Sequence, residues 1–275
     1  MNLIVNPRTM SRLQVLRKSL PHAVLLTGQP GVGLASIAKE LANNMFVSFI
    51  EPLDNKQQVN HTSGTIGVDT IRELYDQTRA KQITLQIFII DDADRMSPAA
   101  QAAFLKLLEE PNRKTHFILT SHSPQLLLAT IRSRVQAVHI EPASSTQTDA
   151  FLDTIQIVDS TKRKQIKYLS DGLPAEIYRL IRDESYFKER AAIMADTRTF
   201  LTGTLFEKLN IIQEYQKDRS KSIKLLDSSI EVTKRSMIDA PNTRLAHQLE
   251  KLLITRDKIN ANCSARLQLL HFVVQ

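Results

Sequence analysis

Gly28-Gln29-Pro30-Gly31-Val32-Gly33-Leu34-Ala35 is the stretch that decides the fold. Its G-x-x-x-x-G frame lets backbone N–H groups turn inward around a phosphate, and the two positions that follow should be Lys and Ser/Thr. Here they are Leu34 and Ala35. The lysine supplies positive charge to the outer phosphates and the hydroxyl holds Mg²⁺. Leucine and alanine do neither. The loop therefore reads as a nucleotide-binding scaffold, with Gly28, Gly31 and Gly33 as a vestigial phosphate cradle, from which the catalytic groups have gone.

Working outward, residues 23–27 (Ala-Val-Leu-Leu-Thr) form an apolar run ending at Gly28, the pattern of a buried strand. Beyond the loop, Ile37, Ala38, Leu41 and Met45 recur at helical spacing. Strand, loop and helix in that order place a helix N-terminus at the anion. Asp69 is expected to cap a helix carrying Ile71, Leu74 and Tyr75 on one face. Residues 87–90 (Ile-Phe-Ile-Ile) read as a second buried strand, ending in Asp91-Asp92-Ala93-Asp94. Ser97 suits an N-cap and Pro98 the first turn of the next helix, with Ala100, Phe104, Leu107 and Leu108 inward and Pro111 just past its end. Residues 116–120 and 135–140 read as a third and a fourth strand. Strands alternating with helices predict a parallel sheet covered on both faces.

Near Pro142 the pattern changes. Residues 143–147 are small and polar and read as a linker, and only helical periodicity follows. Residues 151–158, 162–169 and 175–181 make a small helical unit broken at Gly172 and Pro174, and longer helices begin near 186. The last, over 244–274, is expected to split near Asn260-Ala261-Asn262. The predicted organisation is an α/β domain over 1–142, a helical unit over 143–185 and an all-α domain over 186–275.

Composition bounds the rest. The 275 residues are 42% hydrophobic and 24% charged, the balance of a globular protein. No apolar run approaches the roughly 18 residues of a membrane span, and residues 1–11 lack a signal-peptide core, so a cytoplasmic protein is expected. The single cysteine, Cys263, excludes an internal disulfide and a cysteine-based zinc cluster. Its apolar helical surroundings predict burial. Net charge is +7, with basic density over 8–18, 162–167 and 217–224. Solvated helix faces account for such runs as readily as nucleic-acid binding does. With no tryptophan and 5% aromatic residues, a base-stacking platform is not expected.

In a phosphate-loop ATPase, the first carboxylate after the second motif strand organises the Mg²⁺ shell and the next activates water. Asp91 and Asp92 hold those positions. The usual base is Glu, and an Asp carboxylate sits on the order of 1 Å back, a misplacement that can cost about 100-fold in rate. The alternative is that both are helix-capping and loop acids.

With both motifs in view, the chain resembles the clamp-loader branch of the AAA+ ATPases, and within it the delta-prime subunits of bacterial DNA polymerase III. The resemblance rests on Leu20-Pro21-His22-Ala23-Val24-Leu25-Leu26-Thr27-Gly28, Ile89-Ile90-Asp91-Asp92-Ala93-Asp94-Arg95-Met96, Ala103-Phe104-Leu105-Lys106-Leu107-Leu108-Glu109-Glu110-Pro111 and Thr130-Ile131-Arg132-Ser133-Arg134. It implies an AAA+ parallel-sheet domain, a helical lid and a C-terminal collar where subunits join in a ring. It also implies a role for Arg134. In this family the arginine of a Ser-Arg-Cys motif reaches the ATP site of the adjacent subunit. Ser133 and Arg134 are present here, and Val135 replaces the cysteine. An arginine supplied in trans is worth roughly 10³–10⁵ in rate in studied GTPases. The alternative is a surface arginine opening a strand.

Other family features are missing. The lid arginine that senses the γ-phosphate falls at Ala175 in Gly172-Leu173-Pro174-Ala175. The sensor position after the third strand falls near Thr120-Ser121-His122, whose polar groups suit a phosphate or a strand end equally. The family's four-cysteine zinc module is absent, so no metal is expected, and His61, His116, His122 and His139 read as surface or core histidines. The resemblance thus implies a non-hydrolysing clamp-loader subunit that requires no cofactor and retains at most weak ATP or ADP binding. Its implied partners are the gamma/tau ATPase subunits and the delta subunit, with the sliding clamp and primed DNA met through the complex. Two other readings stand beside it. One is an active ATPase in which Ser36 and Lys39 substitute for the missing groups. The other is an AAA+-derived DNA-binding or adaptor protein outside replication.

Overall fold

The computed structural model describes residues 4–43, 46–61, 63–79, 85–110 and 114–274. Met45 and Pro111, both used above, lie outside them. The expected α/β fold is present. Five strands, β1 (Ala23–Thr27), β2 (Phe46–Ile50), β3 (Gln86–Ile90), β4 (Thr115–Ser121) and β5 (Gln136–His139), form one parallel sheet in the order β2-β3-β4-β1-β5.

Alternation along the central strands explains the two covered faces. Ala23 and Leu25, Phe88 and Ile90, and Phe117 and Leu119 point into one apolar cluster. Their neighbours Val24, Leu26, Ile87, Ile89 and Ile118 point into another. Period-two side chains make this unavoidable in a strand buried on both sides. The first cluster is closed by α3 (Val68–Arg79) through Ile71 and Leu74, and by α4 (Pro98–Glu109) through Ala100, Phe104, Leu107 and Leu108. The second is closed by α1 (Pro7–Lys18) through Leu13 and Leu16, and by α2 (Leu34–Ala42) through Ile37, Ala38 and Leu41.

Punctuation accounts for most boundaries. Ser97 Oγ accepts from the Ala100 N–H at 3.2 Å, and Pro98 opens α4, as expected. Helix α1 was not among the expected elements, although Asn6-Pro7 announces it: the Asn6 side chain accepts from the Arg8 N–H at 3.0 Å, and Pro7 stands in the first turn. Strand β2, at a sheet edge, was likewise not expected. Asp69 is no cap: α3 starts at Val68, and the Asp69 carboxylate lies inside the first turn, paired with Arg72 at 3.0 Å.

Residues 143–147 do not form a linker. Ala143 is buried, and its N–H donates to the Gly172 carbonyl at 2.8 Å. Ser144 and Gln147 close a reciprocal capping box on α6 (Ser145–Thr154). Asn6 Nδ2 donates to the Pro142 carbonyl, and Gln147 Nε2 to the Val5 carbonyl. Gly172 has φ +70°, and a Cβ there would meet the Ala143 oxygen at 2.1 Å, so only glycine fits this crossing. Helix α7 (Ser160–Ser170) brings Arg163 against Asp149 and Asp153, and Lys167 against Asp149, which holds the Asp149 carboxyl below the usual carboxylate range. Part of the basic run at 162–167 is therefore spent on intramolecular pairs.

The chain divides into two compact units, Met1–Tyr178 and Arg179–Gln275, with the division inside α8 (Pro174–Arg182). The second unit contains α9 (Glu184–Thr202), α10 (Leu205–Tyr215), α11 (Arg219–Asp239), α12 (Thr243–Asn260) and α13 (Ala265–Val274). Its core gathers Phe200, Ile212, Leu225, Leu226, Leu252, Ile259 and Leu269, with Phe200 stacked on Phe272 at 5.3 Å. The expected break near 260–262 separates α12 from α13. Cys263 lies in that break and is exposed, contrary to its expected burial. Asn262 turns to φ +67°, and the Cys263 N–H folds back on the Lys258 carbonyl, which swings the thiol off the apolar stripe. Among the described residues, no helix is long and apolar enough to cross a membrane.

Candidate nucleotide-type site at the strand ends

The glycine loop sits between the end of β1 and the start of α2. Gly31 and Gly33 adopt φ +87° and +91°, a region open to glycine at no steric cost. A Cβ on Gly28 would lie 2.8 Å from Val32 Cγ1 and 3.0 Å from the Ile140 carbonyl. The backbone conformation and close packing at these positions thus call for glycine.

Its filling has changed. Leu34 is only 3% exposed and packs in the second apolar cluster with Val32, Leu26, Ile37 and Ile140. Leu34 Cδ2 lies 3.4 Å from where a Gly28 Cβ would stand. A hydrocarbon side chain therefore packs against the loop at this position. The lid meets the loop through its backbone: the Ala175 N–H donates to the Gly31 carbonyl at 3.1 Å, and Leu173 packs on the same cluster. Lys39 is engaged elsewhere, with Nζ 3.9 Å from the centre of the Phe49 ring. That position gives no support to a substitute phosphate-binding lysine.

The acids stand at the end of β3. The Asp91 side chain is 9% exposed, and its Oδ1 accepts from Thr120 Oγ1 at 2.6 Å. The same hydroxyl oxygen accepts from the Asp92 N–H at 2.9 Å. Burial pushes the Asp91 carboxyl above its usual range; the Thr120 hydrogen bond opposes this and the adjacent Asp92 adds to it. Asp92 takes a left-handed conformation, φ +48° and ψ +51°, and its side chain makes no cap hydrogen bond, so the capping alternative does not describe it. Its carboxylate instead lies between two histidines. His61 Nδ1 is 2.8 Å from Asp92 Oδ2, and His122 Nε2 is 3.8 Å from Asp92 Oδ1. His122 Nδ1 lies 2.8 Å from the Gly28 carbonyl, so one imidazole connects the glycine loop to the acids.

His61 is exposed, as expected of a surface histidine, and His122 is part-buried; both also lie beside Asp92. His116 and His139 are structural: Nδ1 of His116 meets the Pro21 carbonyl at 2.8 Å and that of His139 meets Thr27 Oγ1 at 3.3 Å. No local pattern around His61 signals its place. His122, two residues beyond Thr120 at a strand end, offered one.

Thr120 is fully buried and serves two partners that would otherwise be unsatisfied. Thr120→Val keeps the shape and removes the hydroxyl, leaving a buried carboxylate oxygen and an N–H without partners. A loss of about 2–4 kcal/mol is expected, read as a lower midpoint in denaturant titration. Thr120→Ser, which keeps the hydroxyl, should cost less than about 1.5 kcal/mol.

Arg134 lies apart from these groups. It follows the short helix α5 (Ala129–Arg132) and precedes β5. Its Nη1 donates to the Thr130 carbonyl at 3.1 Å, and its Nη2 pairs with Glu109 Oε1 at 3.0 Å, with side-chain exposures of 38% and 52%. Ser133 Oγ donates to the Thr130 carbonyl at 3.0 Å and ends that helix. Thus the glycine loop, Asp91 and Asp92 converge, while Arg134 faces outward on an exposed pair worth about 0–1 kcal/mol.

The sheet order, the glycine loop and the paired acids are those of an α/β domain with the AAA+ fold. Residues 47–144 match the family described as DNA polymerase III, delta subunit. The chain is 27% identical over 212 residues to DNA polymerase III subunit delta' of Bacillus subtilis, covering 69% of this chain and 63% of that one. It is 26% identical over 188 residues to Replication factor C subunit 4 of Saccharomyces cerevisiae, covering 64% and 54%. The chain is thus similar to these subunits, and it spans about half to five-eighths of their length. Among solved structures, a RuvB variant from Thermotoga maritima shares the fold, with TM-score 0.51 at 13% identity over 84% of this chain and 78% of that one.

Proposed function

We propose that this chain is a clamp-loader subunit that does not hydrolyse ATP and lends Arg134 to the ATP site of an adjoining subunit. The observation that carries the first half is Leu34, buried against Gly28 where a phosphate-binding ammonium is needed. The second half rests on an exposed guanidinium held by a surface pair and placed, with Ser133, in the Thr-Ile-Arg-Ser-Arg stretch. Relatives named as DNA polymerase III delta' and Replication factor C subunits support a part in loading a sliding clamp on primed DNA. The partners in this reading are gamma/tau ATPase subunits and the delta subunit, met in the cytoplasm through the collar-like helices of the second unit. No cofactor is required, and residual nucleotide binding rests on the backbone N–H groups of the glycine loop.

A charge-assisted hydrogen bond from a lysine ammonium to phosphate is worth about 1.5–3 kcal/mol, about 10- to 100-fold in affinity. Leu34 can make none. The test is a titration of the full chain with a fluorescent ATP analogue and Mg²⁺, with phosphate release followed in parallel. The expected result is weak binding and no turnover. Tight binding with turnover that Asp91→Ala abolishes would make this chain a motor and overturn the reading.

A further inference from the structure

The same strand ends carry a second chemistry that owes nothing to nucleotide. We propose that Glu51, His61 and Asp91 form a divalent transition-metal site of the zinc type, with Asp92 holding the His61 ring. One ligand atom from each of the three residues lies within 4.8 Å of the others. Asp91 is more than nine-tenths buried in its side chain, with Oδ1 taken by Thr120 and Oδ2 left as its ligand atom. His61 Nε2 faces Glu51 Oε1 at 3.7 Å.

Two features select a metal of this class. In the tautomer that donates Nδ1–H to Asp92 Oδ2, 2.8 Å away, the ring presents the Nε2 lone pair to the Glu51 carboxylate. Two acceptors so placed repel, and a cation between them relieves the repulsion. A carboxylate holding the far nitrogen of a ligating imidazole is the usual support for such a ligand. Zinc–nitrogen and zinc–oxygen bonds of about 2.0–2.2 Å separate neighbouring tetrahedral ligand atoms by roughly 3.3–3.6 Å, so the Nε2 to Oε1 spacing needs an adjustment of only a few tenths of an ångström. An imidazole among the ligands favours zinc, cobalt or nickel over Mg²⁺, which takes oxygen and keeps its waters. Two ligating carboxylates balance the divalent charge, and half-exposed His61 leaves an entry path and a fourth position for water.

The site also has a structural consequence. Glu51 follows β2, His61 lies in the segment before α3, and Asp91 ends β3, so one ion would tie three separate segments at the strand ends. The proposal is independent of the arginine role, and either can fail without the other.

The experiment is a titration of the dialysed full chain with CoCl₂, followed by the visible absorption of four-coordinate cobalt, then competition with ZnCl₂ and MgCl₂. Expected are bands saturating at one equivalent, displaced by zinc and untouched by millimolar Mg²⁺. His61→Ala and His61→Gln should abolish the bands. Asp92→Asn should weaken cobalt binding roughly 10- to 100-fold. Circular dichroism establishes that each variant is folded. Absent bands would overturn the site and leave His61 as a hydrogen-bond partner of Asp92. Bands unchanged in both His61 variants would assign the cobalt to other groups, and displacement by Mg²⁺ would indicate an oxygen-only site. Each of these outcomes refutes the proposal.

Discussion

Arg134→Ala is expected to lower hydrolysis at the adjoining subunit's ATP site by on the order of 10³-fold or more, while the assembled complex stays intact. The physical basis is charge developing on the transferring phosphoryl group, which a rigid, permanently charged guanidinium meets with two donors at once. The cost to this chain's own stability is small. Arg134 leaves a surface pair with Glu109 and one hydrogen bond to the Thr130 carbonyl, together worth about 1 kcal/mol or less. Unfolding of the isolated chain should therefore shift little, and a fall in activity cannot be blamed on a failure to fold. Arg134→Lys keeps the charge and loses the fork, so partial recovery at most is expected. The measurement is single-turnover ATP hydrolysis by the complex assembled with its motor subunits. An unchanged rate in an intact complex would refute the trans-arginine proposal.

Phe104→Ala should do the opposite, removing stability without touching any group proposed to act on nucleotide. Phe104 is fully buried in α4 and meets Phe117 of β4 edge to face, 5.3 Å between ring centres at 82°. Truncating a buried phenylalanine costs about 3–5 kcal/mol, from lost transfer energy and the cavity left behind. For a unit of this size the melting temperature should fall by on the order of 10 °C. Thermal unfolding followed by circular dichroism reads the shift. Phe104→Leu, which leaves a smaller void, should lose less than half as much. A loss below about 1 kcal/mol for the alanine variant would mean that α4 collapses onto the sheet and that the ring is not a keystone of the first cluster.

Much of the fold was legible because its signals are local. The apolar runs at 23–27 and 87–90, the glycine loop and the Ser97-Pro98 start each lie within a few residues of chain, and each became the expected element. The misses have physical causes. Strand β2 is a five-residue run at a sheet edge, where its pairing with β3 makes it a strand. Ser144 looked like linker because a capping residue is small and polar whether or not a helix follows; Gln147, reaching back to the Ser144 N–H, decides the matter. Cys263 fits an apolar stripe on paper, but a left-handed residue just before it redirects the chain.

By itself the sequence determined the class of scaffold, the two carboxylates and the absence of the lysine and hydroxyl, since these are matters of residue type at fixed spacing. Only the tertiary structure decided what surrounds them. In a parallel sheet all strands end at one edge, and the order β2-β3-β4-β1 brings together groups far apart in sequence. That convergence places His61 and His122 on Asp92, joins Thr120 to both acids and turns Leu34 against Gly28. Chain spacing cannot foresee such neighbours, because they are set by which strands pair and not by how many residues lie between them.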